Sequence, residues 1–261
     1  MVGRVTTSTE HESRIDPAWR SWEGAHGGHV AAVALAAVRA RFAGGAHPVR
    51  TLTTHFLAPA GAGPLHVSGT APASGRRTAA CVFSGHQEGL PVVVGSALFG
   101  SGRPGTAYDG QPAPDVPGPD DCRSVQLPGH LAPFARQLEI RPATADLPLA
   151  GGDRAELLAW VRFLDDRPLD AGAVVTLTDV LPPALYAVWE TPRPVPSAEL
   201  TVHFADALDE SGRLPEGWTL VRIRTDHAGA GWAVDDSAVW AADGRLLALG
   251  RQSRVVRGAL P

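Results

Sequence analysis

Leu52-Thr53-Thr54-His55-Phe56 returns 148 positions later as Leu200-Thr201-Val202-His203-Phe204, and this echo decides the architecture of the 261-residue chain. Two further echoes keep the same order. Gly89-Leu90 through Gly95 corresponds to Gly244-Arg245 through Gly250 at an offset of 155, and Gly28 ahead of one apolar run corresponds to Gly172 ahead of another at 144. Ordered matches at similar spacing point to duplication of a unit of roughly 120 to 140 residues. Length alone, set against domains of about 100 to 200 residues, leaves one domain or two undecided.

Outward from the echo, each half carries one buried helix and an antiparallel meander. Gly27 and Gly28 precede an Ala/Val/Leu run through Ala40 that is apolar on nearly every side, so this helix belongs inside the structure. Arg39 and Arg41 suit the negative end of its dipole, and Gly44-Gly45 supply a stop. Strands are expected at Val49–Leu57, Leu65–Ala71, Arg77–Ser84 and Pro91–Phe99. In the second half, Phe134–Arg141 and Arg154–Phe163 read as strands. Asp170 then caps an apolar helical run, Ala171–Leu181, which Pro182-Pro183 curtails. Strands resume at Glu199–Phe204, Trp218–Thr225, Trp232–Trp240 and Arg245–Val255. The expected organisation is a flexible polar terminus (1–15), a first repeat (16–99), a linker (100–121) and a second repeat (122–261). The linker is rich in Gly and Pro and too poor in apolar side chains to offset its ordering entropy by packing.

Composition removes several function classes. All 23 basic residues are arginine, so no Schiff-base lysine, phosphate-loop lysine or lysine general base exists. A net charge of −4 without clustered arginines gives no footprint for nucleic acid. The longest uninterrupted apolar stretch, Val30–Val38, is far short of the roughly 18 to 20 residues of a membrane span. Residues 1–14 are polar without a signal-peptide core, and cytoplasmic localisation is the expectation. Cys81 and Cys122 are the only cysteines, which is neither a disulfide framework nor a metal-ligand spacing. His26 and His29 lack a third ligand of familiar spacing, so no metal is expected. There is no Gly-x-Ser-x-Gly elbow, which argues against an α/β-hydrolase.

The order of several short motifs resembles the acyl-CoA thioesterase II-like branch of the thioesterase superfamily, whose members are double hotdog proteins. The residues that carry the resemblance are Gly27-Gly28-His29-Val30, Thr53-Thr54-His55-Phe56-Leu57-Ala58-Pro59, Trp160-Val161-Arg162-Phe163, Leu177-Thr178-Asp179-Val180-Leu181-Pro182-Pro183, Pro196-Ser197-Ala198-Glu199-Leu200, and Asp243-Gly244-Arg245 leading to Arg251-Gln252. The implied fold class is α+β, two tandem hotdog repeats each with an antiparallel sheet around a central helix. The implied activity is hydrolysis of an acyl-CoA, or an acyl-carrier-protein thioester, to a free acid and a thiol, with no cofactor. The resemblance also implies homo-oligomers. Its hydrolytic residues fall on Asp179, Ser197 and Gln252, with Ser197 standing where Thr is more usual. The first repeat has Leu35 and Ala97 at the places of Asp179 and Gln252, so one active centre per chain follows.

The same residues support that chemistry in their own terms. Asp179 sits in an apolar run ahead of a Pro pair, where burial and the helix C-terminus would both raise its pKa. The alternative is an exposed Asp at a fraying helix end. A thioester is reactive enough for a carboxylate base and a positioned water, with Gln252 and Ser197 holding both in line. Direct attack by Asp179 to give an anhydride is the rival route. Gly27, Gly28 and His29 are candidate oxyanion donors at a glycine-led helix start, or simply a tight turn. His55 and His203 read as packing or lining residues. Trp160, Trp189, Trp218, Trp232 and Trp240 read as acyl-pocket or core residues. A catalytically silent acyl-thioester-binding scaffold is the alternative function. A hotdog dehydratase or hydratase, with His29 and Asp179 as its nearest pair, ranks below both.

Overall fold

The computed structural model describes residues 9–41, 47–205, 208 and 216–258. The stop expected at Gly44-Gly45 lies outside them. In chain order the strands are β1 (Thr9–Ile15), β2 (Val49–Phe56), β3 (Gly63–Ser74), β4 (Thr78–Gln87), β5 (Leu90–Gly100), β6 (Leu138–Pro142), β7 (Glu156–Phe163), β8 (Ser197–Phe204), β9 (Thr219–Gly229), β10 (Trp232–Ala241) and β11 (Leu246–Val255). Helix α1 (Gly27–Arg41) lies between β1 and β2, and α2 (Ala171–Leu177) between β7 and β8. All strands join one antiparallel sheet in the order β1-β3-β4-β5-β2-β8-β11-β10-β9-β7-β6.

The echo becomes geometry at the seam between β2 and β8. Thr53 pairs with Thr201, and around them Leu52 pairs with Val202 and Thr54 with Leu200, so equivalent residues are exchanged about a local two-fold. The two threonine hydroxyls meet on that axis at 2.9 Å. Outward from the seam the strand order is β2-β5-β4-β3-β1 on one side and β8-β11-β10-β9-β7 on the other, with β6 added at the second edge. The fold is therefore a double hotdog of the α+β class.

The helices begin alike. The His26 carbonyl accepts the Val30 N–H at 3.0 Å and its Nδ1 accepts the His29 N–H at 3.2 Å. The Asp170 carbonyl accepts the Val174 N–H at 3.0 Å and its Oδ1 accepts the Ala173 N–H at 2.7 Å. Position 26 is thus the N-cap of α1 as 170 is of α2, at the same 144-residue offset seen in the sequence. Val30, Ala31, Ala34, Leu35, Ala37 and Val38 are all buried, where α1 packs on α2 and on β1 through β4. Burying each Val or Leu of this face is worth about 1.5 to 3 kcal/mol.

Four expectations change. Within the terminus expected to be flexible, Thr9–Ile15 forms edge strand β1, paired with β3 from Thr9 opposite Gly69 to Ile15 opposite Gly63. The run Ala171–Leu181 is helical only to Leu177, because Thr178 and Asp179 tighten the turn before the prolines: the Thr178 hydroxyl donates to the Val175 carbonyl and the Asp179 N–H to that of Thr176. Pro133–Gln137 forms a 3-10 turn ahead of the short strand β6, burying Phe134 against Trp19 and His26. The 100–121 segment stays exposed over 102–112, but its later part rests on the sheet: the Trp160 and Trp240 indoles donate to the Pro117 and Gln111 carbonyls, each at 2.9 Å. Ala113 and Val116 complete this second apolar cluster.

Candidate active site

Asp179 sits just past the end of α2, buried at 8% exposure, and its carboxylate is surrounded by donors. Oδ1 accepts from Gln252 Nε2 at 2.6 Å and from Arg254 Nη2 at 3.1 Å. Oδ2 accepts from the Gly28 N–H at 2.9 Å, which brings the start of α1 against the end of α2. A carboxylate oxygen takes about two hydrogen bonds, so Oδ1 is saturated and Oδ2 keeps one acceptor direction. A Cβ at Gly27 would lie 3.0 Å from Oδ2 and 3.3 Å from the Phe56 ring, so a larger residue there would push on the carboxylate.

The strands dictate who joins. Gln252 and Arg254, two apart on β11, point to the same face. Across the ladders Arg254 lies opposite Ser197 at the start of β8, and Gln252 opposite Asp235 on β10. Arg254 Nη1 donates to Ser197 Oγ at 3.0 Å and Nη2 donates to Gln252 Oε1. Gln252 Nε2 also reaches Ser197 Oγ at 3.5 Å. Arg254 Nε stands 2.8 Å from Asp235 Oδ2, whose other oxygen accepts from the Thr225 hydroxyl at 2.6 Å.

Electrostatics here differ from the sequence expectation. Burial pushes the Asp179 carboxyl up, yet His26, the Arg254 guanidinium, the Gln252 amide and the Gly28 N–H together outweigh it and hold the group below the usual carboxylate range. Arg254, unsuspected from the sequence, is the permanent charge among them. Burial draws His26 below its ordinary value despite the nearby Asp179. Its Nδ1 caps α1, and its Nε2 donates to the Asp179 carbonyl at 2.9 Å.

Asp179, Ser197 and Arg254 open onto a cavity of about 360 Å³, with His26 and Gly27 on the same wall. Its remaining lining is largely apolar, including Val30, Phe56, Leu131, Phe134, Leu181 and Tyr186. A hydrophobic chain fits such a lining, with its polar end at Asp179.

The structure thus brings Asp179, Ser197 and Gln252 together, while the three glycine-led amides separate. The Gly28 N–H is spent on Asp179, and the His29 N–H on the His26 cap. Only the Gly27 amide, among the described residues, heads α1 without such a partner and lines the cavity. The His29 ring stacks on Trp19 at 5.0 Å between centroids, away from the cavity lining, and burial pulls its pKa down to about 4. His55 and His203 are exposed rather than packed. Of the five tryptophans considered for an acyl pocket none lines the cavity; Trp22 does. Trp218, for example, packs against the Arg141 and Arg162 guanidinium groups. In the first repeat the places of Asp179 and Gln252 hold Leu35 and Ala97, both buried in the apolar core.

Sequence reasoning missed Arg254, Asp235 and the capping role of His26. The signal for the first was present: a residue two beyond Gln252 on a strand must share its face. The signal for His26 was its match to Asp170 at the 144 offset.

A helix in each of two tandem repeats of one antiparallel sheet, with a polar cluster where the helices meet, defines a double hotdog protein with an intramolecular site. The acyl-CoA thioesterase N-terminal domain matches residues 15–100 and the C-terminal domain residues 119–256. The chain belongs to the acyl-CoA thioesterase family and is a thioester hydrolase. Among solved structures it is similar to a hot dog protein of unknown function from Alicyclobacillus acidocaldarius at 25% identity, with a TM-score of 0.88 and 96% and 94% of the two chains covered. It is also similar to the acyl-CoA thioesterase II TesB2 of Mycobacterium marinum at 21% identity and a TM-score of 0.69, covering 88% of each chain. The dehydratase domain of PpsC from Mycobacterium tuberculosis, solved with C12:1-CoA, shares the fold at 15% identity and a TM-score of 0.55, covering 98% of each chain. No curated protein matches the chain. No helix among the described residues is long and apolar enough to cross a membrane. Nor do those residues include three or more His, Cys, Asp or Glu placed to hold a metal ion.

Proposed function

We propose that this protein hydrolyses an acyl-CoA or acyl-carrier-protein thioester at Asp179. The observation that carries the reading is that Asp179 and Ser197, from α2's end and β8, line an apolar cavity while Gln252 on β11 joins them from behind its wall. The acyl chain occupies the cavity with its carbonyl near Gly27. Asp179 Oδ2, through its remaining acceptor direction, takes a proton from water as the hydroxide forms a bond to the carbonyl carbon. The tetrahedral oxyanion meets the Gly27 N–H at the positive end of α1. Collapse breaks the carbon–sulfur bond, and the proton on Asp179 passes to the departing thiolate. Gln252 and Ser197 keep carboxylate and water in line.

A dehydratase needs a histidine whose ring nitrogen is free to exchange a proton with substrate. The His29 ring lies against Trp19 outside the cavity lining, and both nitrogens of His26 are engaged, which argues against that reading. The test is thiol release from a panel of acyl-CoA chain lengths. Turnover is expected from the parent chain, and Asp179→Asn is expected to lose about 10² to 10⁴-fold, the usual worth of a general base. Binding of acyl-CoA without thiol release by the parent would instead identify a silent scaffold.

A further inference from the structure

Arg254 does not behave as a substrate ligand. A guanidinium carries five N–H donors; here the four on Nη1 and Nη2 have protein acceptors, while Nε is ion-paired with Asp235 at 2.8 Å without a hydrogen bond. Nε faces Asp235, Nη1 serves Ser197 and the Val195 carbonyl, and Nη2 serves Asp179 and Gln252. With its side chain at 5% exposure and Asp235 at 1%, the pair is fixed within the protein.

We infer that Arg254, anchored by Asp235, is the positioning residue that sets the direction of the Gln252 amide and the Ser197 hydroxyl at the base. This rests on the hydrolytic reading of Asp179. A glutamine amide is nearly symmetric in shape, so something must decide which end faces a carboxylate. Nη2 donates to Gln252 Oε1, which leaves Nε2 as the end turned to Asp179. Serine has no β-methyl to restrict χ1, so its hydroxyl direction must also be imposed from outside. Two donors on Ser197 Oγ, from Arg254 and Gln252, leave its own proton free to point at the cavity. Asp235 holds the guanidinium in place through its second oxygen's bond to Thr225, so the fork is aimed before substrate arrives.

Steady-state thiol release with the parent's best acyl-CoA, over a range of pH, tests this. Arg254→Lys keeps a cation beside Asp179 but cannot serve Gln252 and Ser197 together. It is expected to lower kcat about 10²-fold, the cost of roughly 1 Å of misplacement, with KM within about threefold. Arg254→Met also removes the charge, so the acid limb of its pH–rate profile moves upward. The other groups facing Asp179 are His26, Gln252 and the Gly28 amide, with Tyr186 and Asp235 beyond Arg254, and all are unchanged in that variant. Asp235→Asn loosens the anchor and is expected to lower kcat about tenfold by the same argument. If Arg254→Met does not fold, Arg254→Lys and Asp235→Asn decide the matter.

A role in stability alone would reduce the folded fraction while leaving kcat per folded site and the pH profile unmoved, and that result overturns the inference. If Asp179→Asn is inactive and Arg254→Lys keeps full kcat, the inference fails while the hydrolytic reading stands. Full turnover by Asp179→Asn overturns both.

Discussion

Gly28 and Gly172 occupy equivalent places in the first turns of the two helices, yet alanine at each should act in opposite directions. At Gly28 a Cβ would lie 3.0 Å from both Asp179 Cβ and the Thr176 carbonyl and 3.1 Å from the His26 ring, all buried atoms of the helix contact. At Gly172 the nearest atoms are Asp170 Oδ1 at 3.4 Å and Ala32 Cβ at 3.8 Å, ordinary contact distances. Alanine is favoured over glycine in a helix by about 0.8 to 1 kcal/mol, less near a terminus. Gly172→Ala therefore gains roughly 0.5 kcal/mol or more. Gly28→Ala sets that gain against overpacking of about 1 to 3 kcal/mol, a net loss of roughly 0.5 to 2.5. For a chain of this size each kcal/mol moves Tm by about 2 to 4 °C, so thermal unfolding should show a fall of roughly 1 to 10 °C for one and a rise of about 1 to 3 °C for the other. Because Gly28 also donates to Asp179, a shift of a few tenths of an ångström should lower kcat several-fold, about 10²-fold per ångström being the scale. Equal Tm shifts of one sign, or full kcat in Gly28→Ala, would refute the packing account of the site.

Three further outcomes follow from the same contacts. Turnover should persist to below about pH 4, because the Asp179 carboxyl is held below its ordinary range and loses its proton-accepting form only under more acidic conditions; a fall beginning near pH 6 would contradict it. His29 is drawn from 6.5 to about 4 by burial, so the unfolded chain binds its proton first and folding stability declines as pH falls from about 6.5 towards 4, by about 3 kcal/mol. His29→Gln should flatten that decline in calorimetry, and an unchanged slope would count against the stacked, neutral ring. A single turnover in ¹⁸O-water should label the released acid and leave Asp179 unlabelled; label on Asp179 itself would establish the anhydride route instead.

Most of the fold is legible because duplication writes each element twice. The same logic exposes what was overlooked: β7 ahead of α2 demands a strand ahead of α1, and Thr9–Ile15 supplies it. Its Thr-Glu-His-Glu-Ser-Arg-Ile sequence has one apolar residue, the buried Ile15, so no period-two pattern announces an edge strand that needs burial on so little of its surface. The contacts of the 100–121 linker are hidden for a related reason, since the apolar surface its later part rests on belongs to Trp160 and Trp240 far along the chain. At the site, motif position picks out Asp179, Ser197 and Gln252, but the bonds that tune them come from partners distant in sequence. His26 reaches Asp179 from 153 positions away, and the charge that reverses the expected pKa direction comes from an arginine pointing inward on a strand. Such a residue looks solvated in sequence until its buried counter-charge, Asp235, is known.

The seam at Thr53 and Thr201 has a consequence for the protein at low abundance. His26, Gly27 and Gly28 belong to one repeat and Asp179, Ser197, Gln252 and Arg254 to the other, so neither half contains the whole of the proposed centre. Where such half-sites lived on separate polypeptides, dilution would pull them apart. A covalent connection instead holds one beside the other at an effective concentration on the order of millimolar, whatever the amount of protein present. The fused pair also escapes the symmetry that identical partners impose, which is why Leu35 and Ala97 could become plain hydrophobic filler opposite a single charged centre.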